Sequence, residues 1–234
     1  MLQAKQLKEG EYLGIDGATP WTTKQQKQFE ELRAVLPPWT TVINLSAVGP
    51  LPKEKIAYQE IDLKEAMAEI GAELKPTVGG VMGLDKIMHE EMLSPWRLQK
   101  RYGFQGHCHE LFFVTSPDRV AEFDDMIHQV TGLYNYAVED IGIYLLPLER
   151  GRAFYCFYDI HCSGKKEDEE CQKTKKLFEE LSETLINEGA FFDRPYGYWA
   201  QLMYSRAGQY TEYLKKIKRE LDPNNIMNPG KLCF

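Results

Sequence analysis

Three groups of side chains have types and spacings that bear on chemistry. The first is His107-Cys108-His109, with His161-Cys162 further along the chain. Imidazole and thiolate are metal donors, and alternate residues of a strand share a face, so His107 and His109 converge if this stretch is extended. Neither Cys-x-x-Cys nor His-x-x-x-His spacing accompanies them. They are therefore expected to be ordinary strand-edge residues with no metal. The second group closes the chain: Asp222-Pro223 ends a helix, Asn224-Asn225 favours a tight turn, and Asn228-Pro229-Gly230 forms another. A glycine-containing turn brings backbone close to a flat ligand, and Lys231 adds a cation. The third group is the aromatic stretch 191–199, which holds Asp193-Arg194, Tyr196 and Tyr198. By residue type alone it is a surface ion pair among core aromatics.

The elements that must position these groups follow from hydrophobic period. Residues 22–36 read as a helix with Phe29, Leu32 and Leu36 on one side, stopped by Pro37-Pro38. Residues 40–45 are β-branched and read as a strand, and 52–70 as a helix carrying Ile56, Leu63, Met67 and Ile70. Gly79-Gly80 and Gly83 mark a long loop over 76–105 that contains a helix at 84–93. A strand at 111–115 then runs through Ser116, an N-cap, and Pro117 into a helix with Val120, Phe123, Ile127 and Val130 on one face. Strands at 137–146 and 152–160 are joined by a short turn and predict an antiparallel pair. A helix over 168–187 carries Leu177, Leu181 and Leu185 and stops at Gly189. A last helix spans 209–220, with Tyr213, Leu214 and Ile217 inward. The fold class is α+β: a largely antiparallel sheet with helices packed on one face, followed by a short helical C-terminal segment.

Composition limits the function classes. The 234 residues, 43% hydrophobic and 27% charged, support a packed core. The net charge of −7 and the interleaving of Lys165-Lys166 with Glu167-Asp168-Glu169-Glu170 leave no basic face for nucleic acid. No apolar run approaches the roughly 20 residues of a membrane span. Met1-Leu2-Gln3-Ala4-Lys5 lacks a signal layout, so a cytoplasmic location is expected. Cys108, Cys156, Cys162, Cys171 and Cys233 are odd in number and irregularly spaced, which predicts reduced thiols.

A helix followed by Leu221-Asp222-Pro223-Asn224-Asn225-Ile226-Met227-Asn228-Pro229-Gly230-Lys231 resembles the closing signature of FAD-linked oxidases of the vanillyl-alcohol-oxidase / para-cresol-methylhydroxylase family. Upstream, Leu111-Phe112-Phe113, Ser116-Pro117, the strand 154–159, the long helix and the turn 189–194 fall in that family's order. Val48-Gly49-Pro50-Leu51-Pro52 and the helix behind it resemble its cap domain. Members of the family begin with a large FAD-binding domain, pass into a cap over the flavin ring, and return. The resemblance therefore implies that residues 1–190 are a cap (substrate) domain and 191–234 a return segment. A Gly-rich pyrophosphate loop like the family's is not seen in this sequence. The implication is an FAD-binding-domain partner chain, or a fragment.

The resemblance also assigns residues. Phenol-oxidising members have a Tyr-Arg pair just after the long cap helix, whose Arg stabilises negative charge on substrate or reduced flavin. Asp193-Arg194 holds that place, which makes Arg194 the catalytic candidate. Asp193 departs from the pattern, so Tyr196 and Tyr198 become the candidate phenols. Asn228 and Lys231 match the terminal motif and are the cofactor-binding candidates. Some members carry FAD on a His just before the Leu-Phe-Phe strand; here Glu110 has that place and His109 is one residue off, on the opposite face. Non-covalent FAD is expected. The implied function is part of a flavin-dependent oxidoreductase acting on an alcohol, hydroxy acid or alkylphenol, this chain shaping the substrate pocket and not active alone. The alternative is a non-catalytic cap-like binding module or an inactive fragment, with the aromatic stretch 191–199 an exposed interaction surface.

Overall fold

A computed structural model describes residues 22–94, 107–162 and 168–231. The chain divides into two compact units, residues 1–100 and 101–234.

Among the described residues the first unit contains three helices, α1 (Thr23–Arg33), α2 (Pro52–Glu69) and α3 (Leu84–Leu93). Pro52 occupies the first turn of α2, where its missing N–H costs nothing. No residue of α2 is buried. The β-branched stretch 40–45 forms no strand, contrary to expectation, and Val42 and Ile43 are exposed. β propensity expresses packing on a pleated surface. Among the described residues every paired strand lies at 107 or beyond, so this stretch has no ladder to join.

The second unit is built on a three-stranded antiparallel sheet of β1 (His107–Thr115), β2 (Gly142–Leu148) and β3 (Ala153–Cys162) in the order β1-β3-β2. Helix α4 (Val120–Leu133) follows β1, and α5 (Glu169–Asn187) follows β3. Helices α6 (Tyr198–Arg206) and α7 (Gly208–Leu221) close the chain. The expected strand at 137–146 starts only at Gly142, because Val138–Asp140 makes a 3-10 turn.

The register pairs Leu111 with Tyr158, Phe113 with Cys156, and His109 with Ile160. Opposite residues of an antiparallel pair share a face, so these side chains form one layer. Leu111, Phe113 and Ile160 are fully buried in it, with Phe123 and Ile127 of α4 and Leu177, Leu181 and Leu185 of α5. The Phe113 and Phe123 rings meet at 5.2 Å, and Tyr158 donates to Asp124 at 3.0 Å. Arg119 ties the two helices together: it forks onto Glu122 and donates to the Glu188 carbonyl at 2.7 Å, satisfying the end of α5. That end is turned by Gly189 at φ +89, a conformation suited to glycine.

Two expectations about cysteine and surface are corrected. Cys162 and Cys171 form a disulfide, so the thiols are not all reduced. Their positions, at the end of β3 and in the first turn of α5, are brought together by the fold rather than by a recognisable spacing. The outer side of α7 is also not as expected. Tyr213 and Ile217 are exposed, while Thr211 is buried and donates to the Tyr204 carbonyl at 2.6 Å.

Candidate functional site

The opposite face of the sheet carries Phe112, Tyr155, Phe157, Asp159 and His161, with Tyr144 and Leu146 of β2 beside them. Helices α4 and α5 do not cover it. Among the described residues, the segment after α5 reaches it. Backbone hydrogen bonds pair Val114 with Phe191 at the open edge of β1, at 2.8 and 3.1 Å. The chain then rounds that edge: Phe192 and Trp199 bury themselves, and the Trp199 ring meets Phe112 edge-on at 4.7 Å. Trp199 Nε1 donates to Ser182 of α5 at 2.8 Å, which fixes the start of α6. Gly197, at φ +59 and ψ −128, makes the turn into that helix.

This wrapping sets Arg194 on the sheet face. Its guanidinium lies 4.8 Å from the Phe112 ring and 5.6 Å from the Tyr155 ring. It donates to the Tyr155 hydroxyl, which in turn donates to Asp193 Oδ1 at 2.8 Å. Arg194 Nε and Asp193 Oδ2 are 3.5 Å apart. Hydrogen bonding to Tyr155 raises the Arg194 pKa further, so the group is a permanent cation. Burial raises the Tyr155 pKa against the lowering effect of Arg194, so the phenol stays protonated. The Arg194 side chain is 57% exposed, and a cation fixed on aromatic rings with an open side is suited to receive an anion.

The two candidate phenols part company. Tyr196 is exposed and joins the cluster, its ring 6.1 Å from Phe112. Tyr198 instead donates to Glu183 of α5, and this bond pushes its pKa up to about 12. Glu110 lies on the Arg194 face of the sheet, whereas His109 lies on the helix-covered face with its ring stacked on Phe178 at 5.2 Å.

Asn228 and Lys231 are exposed on the terminal turns, joined by a Lys231 N–H to Asn228 carbonyl bond of 3.3 Å. The anchor of those turns is Asp222. Its buried carboxylate accepts from the Ile226 and Met227 N–H groups at 2.9 and 2.8 Å and from Lys218 Nζ. Lys218 also donates to the Met227 carbonyl at 2.6 Å. The pattern Asp-Pro-x-x-x-x is thus a built loop, not a frayed end.

The comparisons with known proteins bear on this C-terminal region. The family description "FAD linked oxidases, C-terminal domain" matches residues 196–232. This segment is similar to the close of FAD-linked oxidases. No curated protein and no solved structure matches the chain. The match begins at Tyr196, two residues beyond Arg194, and takes in α6, α7 and the Asp222 loop. Sequence reasoning missed Phe112 and Tyr155 as supports of Arg194. Their signal was the two-residue alternation of β1 and β3, which places Tyr155, Phe157 and Phe112 together once the register is known.

Proposed function

We propose that this chain is the cap and return part of a flavin-dependent oxidoreductase of the vanillyl-alcohol-oxidase / para-cresol-methylhydroxylase type. In this reading residues 1–190 are the cap and 191–234 the return segment. FAD is bound non-covalently and mostly by an FAD-binding domain outside these residues, and the substrate is an alcohol, hydroxy acid or alkylphenol. One juxtaposition carries the reading: the segment similar to FAD-linked oxidases begins two residues after Arg194, and Arg194 lies over Phe112 on the sheet face opposite the α4 and α5 layer.

Bound FAD supplies the hydride acceptor. Arg194 would stabilise negative charge on the substrate or reduced flavin, its guanidinium held in place by Tyr155 and Phe112. Tyr196 and Tyr198 are the proposed phenols, with Tyr196 the one beside the cation. Asn228 and Lys231, joined on the Asp222 loop, would be the contacts to the flavin-ring region. A covering domain is further supported by the outer side of α7. Tyr210, Tyr213, Ile217 and Leu221 are exposed there at helical spacing, as are Ile226 and Met227 beyond it.

The test is the visible absorption spectrum of the purified chain, before and after acid precipitation. The chain alone should be colourless, and adding an FAD-binding-domain partner should produce a flavin band that substrate bleaches. A flavin band from the chain alone would refute the outside domain, and colour retained in the precipitate would refute non-covalent binding. A second reading, a non-catalytic cap-like module or inactive fragment, is favoured by the 3.5 Å approach of Asp193 to Arg194, which offsets the cation. A flavin-loaded complex that no alcohol, hydroxy acid or alkylphenol bleaches would select it.

A further inference from the structure

Cys108 and His161 are direct cross-strand partners on β1 and β3, and Asp159 lies two residues before His161 on the same face. One sulfur, one imidazole nitrogen and one carboxylate oxygen there lie within 4.8 Å of one another. His161 is 6% exposed, and Cys108 and Asp159 are half-buried. Three donors at mutual short range form a triangle, which is the arrangement a chelated ion needs. In a tetrahedral zinc centre, ligand bonds of about 2.0 to 2.3 Å put neighbouring donor atoms roughly 3.3 to 3.6 Å apart. Closing from 4.8 Å asks each side chain for a shift of about 1 Å, within the breadth of a rotamer well.

We propose that Cys108, Asp159 and His161 form a binding site for a divalent ion of the zinc type. The thiolate selects against Mg²⁺ and Ca²⁺, which take oxygen ligands, and the mixed sulfur, nitrogen and oxygen set suits Zn²⁺ or Co²⁺. The surroundings hold the frame in place. The Tyr136 hydroxyl accepts from the His161 N–H at 2.8 Å and donates to its carbonyl at 2.9 Å, so one phenol clamps the strand at the imidazole. Gly142 is the cross-strand partner of Asp159, and a Cβ there would lie 3.3 Å from the Asp159 Cβ. The absent side chain leaves the carboxylate room. Glu110, opposite Asp159 on the same face, adds negative charge beside a bound cation. Cys162 lies on the other face and is tied in its disulfide, so it does not compete for the ion.

Three protein ligands leave the fourth tetrahedral position to water or to a small molecule with an oxygen or nitrogen donor. The site lies on the Arg194 face, with Cys108 four residues or about 13 Å along β1 from Phe112. It stands independently of the flavin reading.

The test uses the metal-free full chain, titrated with Co²⁺ under anaerobic conditions without added thiol. One cobalt should bind per chain, with a thiolate-to-cobalt charge-transfer absorption and tetrahedral visible bands, and Zn²⁺ should displace it while Mg²⁺ does not. Cys108→Ser should abolish the charge-transfer absorption. Asp159→Asn should weaken cobalt binding at least about tenfold. His107→Ala, on the opposite face, should change neither. Absence of the absorption in the unaltered chain, or its persistence in Cys108→Ser, overturns the proposal. If Cys108→Ser fails to fold, unchanged affinity in folded Asp159→Asn overturns it equally.

Discussion

The Arg194 guanidinium makes one hydrogen bond to a partly buried phenol and lies over two aromatic rings. Its ion pair with Asp193 is exposed, and exposed pairs contribute about 0 to 1 kcal/mol. Geometry at this residue therefore comes from Tyr155 and Phe112 more than from Asp193. A lysine keeps the charge and loses the planar fork that meets Tyr155. In the flavin-loaded complex, Arg194→Ala should lower kcat about 10² to 10³-fold, the scale of one lost charge-stabilising donor. Arg194→Lys should fall between, and Asp193→Asn should leave kcat near its original value. Steady-state kinetics check this, and full kcat in Arg194→Ala would remove Arg194 from the chemistry. Arg194 is singled out in the sequence only through the resemblance, by its order after the long helix. Tyr155 is not, since its place beside Arg194 depends on how residues 39 positions apart meet.

At the level of elements, helices were legible where an apolar stripe met a core. Leu177, Leu181 and Leu185 are fully buried or nearly so, as their spacing predicts. The same spacing misled in α7, where Tyr213 and Ile217 form a stripe that faces outward. Periodicity reports that a face is apolar, not which molecule covers it. Helix α6 escaped notice because Pro195 and Gly197 stand at its entrance and its partners are aromatics on α5 and β1. The Asp222 loop gives an element-scale prediction. The hydrogen bond from Lys218, with those from the Ile226 and Met227 N–H groups, holds the Asp222 pKa below its usual value, against the opposing effect of burial. A depressed folded pKa contributes stability that is present above the unfolded value of about 3.9 and is lost as pH falls through the folded value. The loop should thus persist below pH ~4 before opening. NMR titration of the Ile226 and Met227 amides checks this. A midpoint at the ordinary carboxylate value would refute it.

For the whole molecule, fold class was readable because two strands joined by a short turn, β2 and β3, form an antiparallel pair that leaves few topologies. The disulfide was not, since Cys162 and Cys171 become neighbours, with Cα atoms 5.4 Å apart, only after β3 and α5 pack. Closing so short a loop, with a sequence separation of 9, should stabilise the second unit by about 2 to 3 kcal/mol through the unfolded chain. Urea unfolding of Cys171→Ser, or of the unaltered chain in reductant, should show that loss, and unchanged midpoints would mean that the bridge contributes no stability. No helix among the described residues is long and apolar enough to cross a membrane.

The same bridge changes what a cut in the chain means. Lys165 and Lys166 lie between its two cysteines, so trypsin acting there would sever the backbone without releasing either piece. The sheet and the last three helices would remain one covalent molecule. Such a protein would run as a single band on a denaturing gel and as two once thiol is added.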